Sequence, residues 1–203
     1  LQLEVAKREV AVVAIGASTG GPAIILQILS SLSADFPVPI LVVQHISAGF
    51  TVGFAEWLHT ASGLPVNIAQ GGEVPLPGHV YVPPDDRHLR VGPMGKLQTV
   101  LDGPRHSMRP SVGVLFQSVA ERFGRRSIGV LLTGMGRDGA EELGLMAARG
   151  ALTIAQDEES SVVFGMPREA IALGAAQLVL PPHKIARLLA SVTRRGGFSR
   201  RSP

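Results

Sequence analysis

The sequence predicts an α/β fold: a doubly wound, mostly parallel sheet with helices on both faces and a small antiparallel hairpin excursion. Three observations carry that expectation. Short aliphatic runs alternate with helix-length amphipathic segments along nearly all of the 203 residues, the pattern of repeated strand–helix units. The runs are almost wholly apolar, as strands buried on both faces should be. Glycine-rich stretches such as GASTGG and TGMGRDGA follow directly on such runs, where strand-to-helix turns belong.

Taken in order, VAVVAI (Val10 to Ile15) reads as the first strand. The helix after it has Pro22 near its first turn and Ile25, Leu26, Ile28, Leu29 and Leu32 on its apolar side. PILVVQH is a second strand. TVGFAEWLHTASG is a second helix, with Thr51 as its expected N-cap and Gly63 past its end. PVNIAQ is a third strand. The region Gly71 to Leu101 is rich in Gly and Pro and reads as the antiparallel excursion, with a hairpin around GPMG. PSVGVLFQSVAERFG resumes as a helix capped by Ser111, followed by the strand RSIGVLLTG and the helix AEELGLMAARG, which ends at Gly150. ALTIAQ, MPREAIALG, AAQLVLP and PHKIARLLASV then read as strand, helix, strand, helix. No internal repeat or interior linker interrupts the series.

Composition narrows the function classes. Hydrophobic residues make up 45% and charged residues 17% of the chain, which is a globular composition rather than a disordered one. Aromatics are only 4%, so aliphatic side chains must fill the core. With no cysteine, disulfides and thiolate metal sites are excluded. No apolar run reaches the roughly 20 residues of a membrane-spanning helix, and no secretory signal is visible. The formal charge is +3, with arginines gathered in the tail TRRGGFSRRSP. That tail reads as a solvated terminus, with docking to an acidic partner as the alternative; no basic stripe interleaved with aromatics points to nucleic acid. The expected division is an N-terminal linker remnant at 1–9, one domain at 10–193 and a basic tail at 194–203. The chain opens on Leu1, not Met, and is expected to be a piece of a longer protein.

In a sheet of this kind ligands bind beyond the carboxyl ends of the strands. The loops there are GASTGG, QHISAGFT and TGMGRDGA, and they contribute Ser18, His45 and Asp138. Three strands thus deliver a nucleophile, a base and an orienting carboxylate to one edge. Each residue alone has an ordinary structural role open to it: Ser18 in a turn, His45 bonded at a strand end, Asp138 capping the helix that starts near Ala140. The chain order Ser, His, Asp differs from the Ser, acid, His order of α/β-hydrolases, so GASTG does not import that fold. A dinucleotide site is disfavoured: Ser18 replaces the central glycine of G-x-G-x-x-G, and the second strand ends in Gln44 and His45 rather than an acid. A P-loop is excluded, since no Gly-Lys-Ser/Thr follows. Among the other histidines, His79 and His88 have surface or structural roles, His59 and His183 lie on helices, and His106 is near enough to the edge to contact substrate. No histidine spacing suggests a metal.

Several long stretches, in order, resemble the catalytic domain of the chemotaxis protein-glutamate methylesterase (CheB-type) family: IGASTGGP, VVQHISAGFT, GGEVPLPGHVYVPPDDRHL, RPSVGVLFQSVAERFG, GVLLTGMGRDGAEEL, AQDEESSVVFGMPREAI and VLPPHKIARLL. The resemblance covers about Val10 to Leu189. It implies that Ser18, His45 and Asp138 are the catalytic residues, and that the backbone of Met135 serves the oxyanion; the Thr19 amide is a second donor by position. It implies a serine hydrolase that demethylates glutamate methyl esters on bacterial chemoreceptors, with glutamine deamidation in some members. No cofactor and no metal are implied. The implied partners are the cytoplasmic helices of methyl-accepting chemoreceptors and a receiver domain, upstream in a longer protein or in trans; nucleic acid and direct membrane insertion are not expected, and the location is cytoplasmic. A receptor-binding or scaffold module with a silent site is the alternative.

Overall fold

The structure, a computed structural model, describes residues 8–192. The expected basic tail, and all but two residues of the expected N-terminal linker, lie outside the described residues. β1 (Val12–Ala17) leads through α1 (Gly21–Leu29) to β2 (Ile40–Gln44), α2 (Thr51–Ser62), β3 (Val66–Ile68) and β4 (Val80–Val82). The hairpin β5 (His88–Val91) and β6 (Leu97–Val100) follows, then α3 (Val112–Phe123) and β7 (Ser127–Leu131). The chain closes with α4 (Ala140–Ala148), β8 (Leu152–Gln156), α5 (Met166–Ala172), β9 (Leu178–Leu180) and α6 (Pro182–Ala190).

Seven strands form one sheet in the order β3-β4-β2-β1-β7-β8-β9, and every pairing in it is parallel. The chain winds outward from β1 to β2 and beyond, then returns to the other side of β1 at β7. This reversal opens a crevice at the carboxyl ends of β2, β1 and β7. β1 shows why the sheet has two cores. Val13, Ile15 and Ala17 face α1, α2 and α6, whereas Val12 and Ala14 face α3, α4 and α5. Ile40 and Val42 against Leu41 and Val43 divide β2 in the same way, following the two-residue period of a strand.

Three expectations need correction. The Gly71 to Leu101 region is not wholly an antiparallel excursion: VYV forms β4, a parallel strand inserted between β2 and β3. Among the named strands of the described residues only β5 and β6 pair antiparallel, turning at Pro93–Gly95 as GPMG predicts. Thr51 is not the cap of α2 but its first residue; the cap position is Phe50, and the Thr51 hydroxyl donates to Asp85 at 2.6 Å. Leu32 lies past the end of α1, although it remains buried in the core.

The second core centres on α3, where Leu115, Phe116 and Val119 are fully buried. Phe116→Ala is expected to destabilise the domain by about 3–5 kcal/mol. A denaturant midpoint with unchanged slope measures this.

Candidate active site

β1 ends at Ala17, and the chain turns at once into α1. Gly20 takes a left-handed conformation (φ 81°), and the Gly21 amide closes the turn on the Ser18 carbonyl at 2.8 Å. Ser18 thereby sits at the sheet edge, half-exposed, with its amide donating to the Thr133 carbonyl at 3.0 Å. Gly134 gives it room: a Cβ there would lie 2.7 Å from the Ser18 Cβ and 2.4 Å from Met166 Sδ.

His45 follows β2 directly. Its side chain is only 8% exposed, and Nε2 lies 2.8 Å from Asp138 Oδ2. The other ring nitrogen, Nδ1, is buried and has no partner among the described residues. An ionised carboxylate accepts only, so the proton of the neutral ring resides on Nε2 and Nδ1 keeps its lone pair. This reverses the chymotrypsin pattern, in which the carboxylate holds Nδ1. Ser18 Oγ makes no hydrogen bond among the described residues, so the structure pairs His45 with Asp138 but leaves the Ser18–His45 bond open. Such contacts often tighten only when substrate is bound.

Asp138 is the most heavily engaged group. Oδ2 accepts from His45 and from the Val112 amide at 2.7 Å; Oδ1 accepts from Ser111 Oγ at 2.7 Å and the Gly113 amide at 3.0 Å. The carboxylate therefore caps the first turn of α3, where the helix dipole favours an anion. It does not cap the helix starting at Ala140; Gly139 occupies that position. Burial opposes the charge, but hydrogen bonds from His45, Ser111 and the Gly113 amide outweigh it and hold the pKa below the ordinary aspartate value. Ser111 is set in turn by His88: its amide donates to His88 Nδ1 at 3.1 Å, and His88 Nε2 donates to the Gly103 carbonyl at 3.1 Å. His88 is fully buried and structural.

The remaining sequence candidates line the same edge. Thr19 is exposed and contributes its carbonyl to Thr133 Oγ1 at 3.0 Å; no contact joins its hydroxyl to His45 among the described residues. Met135 is 73% exposed. The amides of Thr19 and Met135 donate to no acceptor among the described residues. A cleft of about 290 Å³ lies between His45, Asp138, Met135 and the turn carrying His106 and Ser107. That turn is a tight one, with Arg105 and Met108 exchanging both backbone hydrogen bonds and His106 and Ser107 at φ 50° and 64°. A larger groove of about 510 Å³ between α2 and β3 contains none of the candidates.

His106, Asp138 and Glu142 bring one ligand atom each within 4.8 Å of one another. Arg105 already occupies Glu142 Oε1 at 2.6 Å, and the Asp138 oxygens are taken by donors. The grouping is therefore an arginine-bound carboxylate beside a helix-capping one.

Sequence reasoning picked out Ser18, His45, Asp138, Thr19, Met135 and His106, and the structure brings all six to one edge. It missed Ser111 and the α3 amides as the partners of Asp138, although Ser111 was legible as a cap. It also missed Gln156, whose Oε1 accepts from the Thr133 amide at 2.8 Å and anchors the Met135 loop.

The model of the family described as CheB methylesterase matches residues 13–189. A Nitrosospira multiformis protein named protein-glutamate methylesterase/protein-glutamine glutaminase is 53% identical over 186 residues, covering 92% of this chain and 52% of that protein. A Syntrophus aciditrophicus protein named protein-glutamate methylesterase/protein-glutamine glutaminase 1 is 53% identical over 178 residues, covering 88% and 51%. The crystal structure of the Thermotoga maritima CheB methylesterase catalytic domain superposes with a TM-score of 0.85 at 40% identity, covering 89% of this chain and 97% of that one. The chain spans about half the length of the relatives it matches.

The depressed pKa of Asp138 has a direct consequence for stability. Its ionised form contributes stability in full above the ordinary aspartate pKa near 3.9, and this is lost as pH falls through the lower folded value. Asp138→Asn is therefore expected to flatten the loss of stability on acidification, by up to about 1.4 kcal/mol per pH unit, the slope of one proton. Denaturant unfolding of both proteins from pH 5 to pH 2 checks it.

Proposed function

The chain belongs to the CheB methylesterase family, and we propose that it is a serine hydrolase that cleaves glutamate methyl esters on proteins to glutamate and methanol. The observation that carries this reading is the His45–Asp138 pair, with Nδ1 buried and without a partner among the described residues.

In the proposed reaction Ser18 Oγ attacks the ester carbonyl while His45 Nδ1 takes its proton. Asp138 holds the ring through Nε2 and stabilises the imidazolium. The tetrahedral oxyanion is met by the free amides of Thr19 and Met135. His45 returns the proton to the departing methoxide, releasing methanol and leaving a glutamyl ester on Ser18. Water, deprotonated by His45, then attacks that ester and frees glutamate and the serine. A primary amide in place of the ester would release ammonia by the same steps, which is glutamine deamidation.

The substrates in this reading are the cytoplasmic helices of methyl-accepting chemoreceptors, and a receiver domain, in the same longer protein or in trans, governs access. The names of the relatives support the ester and amide chemistry. Among the described residues no helix is long and apolar enough to cross a membrane.

Methanol release from methylated receptor membranes tests the proposal. Ser18→Ala is expected to lower turnover on the order of a millionfold with the melting temperature preserved. A folded Ser18→Ala protein that still releases methanol overturns the mechanism, and a silent parent chain points to a scaffold role. The oxyanion assignment separates two variants at one position. Met135→Leu keeps the amide and most activity, whereas Met135→Pro removes it and is expected to cost about 100- to 1000-fold, with circular dichroism confirming that both remain folded.

A further inference from the structure

We propose that Gln44 is a positioning residue that sets the spacing between Ser18 and His45, and that it does so while leaving a buried acceptor of its own without a donor. The proposal rests on the reading of Ser18 and His45 as nucleophile and base. Gln44 is the last residue of β2, behind four fully buried aliphatic residues, Ile40 to Val43, and is itself only 5% exposed. Its Nε2 donates to the Ser18 carbonyl at 2.8 Å and to the His45 carbonyl at 2.9 Å. One amide nitrogen thus ties the serine loop to the histidine loop. The regular β1–β2 pairing gives out here: its last bond runs from the His45 amide to the Ala17 carbonyl at 2.9 Å, one residue short of the serine. Ser18 is consequently held from two sides, by Thr133 through its amide and by Gln44 through its carbonyl.

The other end of the same amide is the unusual feature. Spending both Nε2 protons on two carbonyls fixes the orientation, because a flipped amide would set Oε1 against two acceptors. Oε1 is then buried with no partner, packed over Gly21, where a Cβ would come within 2.1 Å of it. A buried acceptor without a donor destabilises a fold. Gln156, at the matching end of β8, shows the satisfied alternative: its Oε1 accepts from Thr133 and its Nε2 donates to the Ser160 carbonyl at 2.9 Å. An aliphatic side chain at position 44 would bury no unpaired acceptor, but it would give up both bonds to the loop carbonyls. The geometry of proton transfer favours glutamine, since a misplacement of about 1 Å costs roughly 100-fold in rate.

The test compares the chain with Gln44→Met and Gln44→Glu, reading melting temperature, the second-order rate of fluorophosphonate labelling at Ser18, and kcat and KM on a small neutral ester. Losing the two bonds and losing the unpaired acceptor act in opposite directions, so Gln44→Met is expected to melt within about 3 °C of the parent. Its labelling rate and kcat are expected to fall about 10- to 100-fold, with KM nearly unchanged. Gln44→Glu, of the same shape but without an N–H to give, is expected to lose labelling rate and kcat as Gln44→Met does. Two results overturn the proposal alone: a Gln44→Met protein labelled within about twofold of the parent, or one whose activity falls only in step with its stability. A parent chain that is not labelled at Ser18 overturns the underlying reading, and the proposal with it.

Discussion

The carboxylate of Asp138 at the first turn of α3 is the interaction on which the site depends. Four donors converge on it: a ring nitrogen, a hydroxyl and two helix amides. The helix amides are the orphan donors that every helix N-terminus presents, so the anion satisfies α3 while α3 keeps the anion charged. This orients a neutral His45 ring: with Nε2 committed to a carboxylate that only accepts, Nδ1 keeps its lone pair. The hydroxyl of Ser111 belongs to both duties, since it also accepts from the Val114 amide at 3.3 Å as the helix cap. His88, buried behind it, explains why a histidine in a Pro-rich hairpin region belongs to the architecture of the site without touching the cleft.

The sheet supplies the other half of the arrangement. β2, β1 and β7 are adjacent and parallel, so their carboxyl ends deliver three loops to one edge with no long excursion of the backbone. Two buried glutamines at strand ends then trim the loops. Gln156 fixes the strand-end residue Thr133, whose hydroxyl reaches the Thr19 carbonyl and accepts from the Val163 amide at 2.9 Å. Gln44 joins the serine loop to the histidine loop. Side-chain amides suit this task because each carries donors and an acceptor on one short rigid group.

Much of the fold was legible because parallel strands are nearly continuous apolar runs and their helices carry ordinary punctuation, Pro22 early in α1 and Gly63 after α2. What escaped was set by tertiary pairing. VYV is three residues flanked by Gly, His and Pro, too short to announce a strand, and it becomes one only because β2 and β3 offer it edges. Thr51 has the side chain of a cap, but Asp85, far along the chain, claims its hydroxyl. In the site, residue types at strand ends pointed to Ser18, His45 and Asp138. Local sequence could not show that Asp138 reaches back to α3 across 25 residues and more, nor which imidazole nitrogen it holds, since that depends on the entry angle of the ring.

The state of the His45 ring is therefore the most direct measure of this account. Nitrogen-15 NMR of the chain with labelled histidine, assigned by His45→Gln, reports which ring nitrogen carries the proton when the imidazole is neutral. The expected result is a neutral ring protonated at Nε2, with Nδ1 as the unprotonated nitrogen. A neutral ring protonated at Nδ1 would contradict the account, because the Asp138 carboxylate would then no longer hold the nitrogen on which the whole arrangement turns.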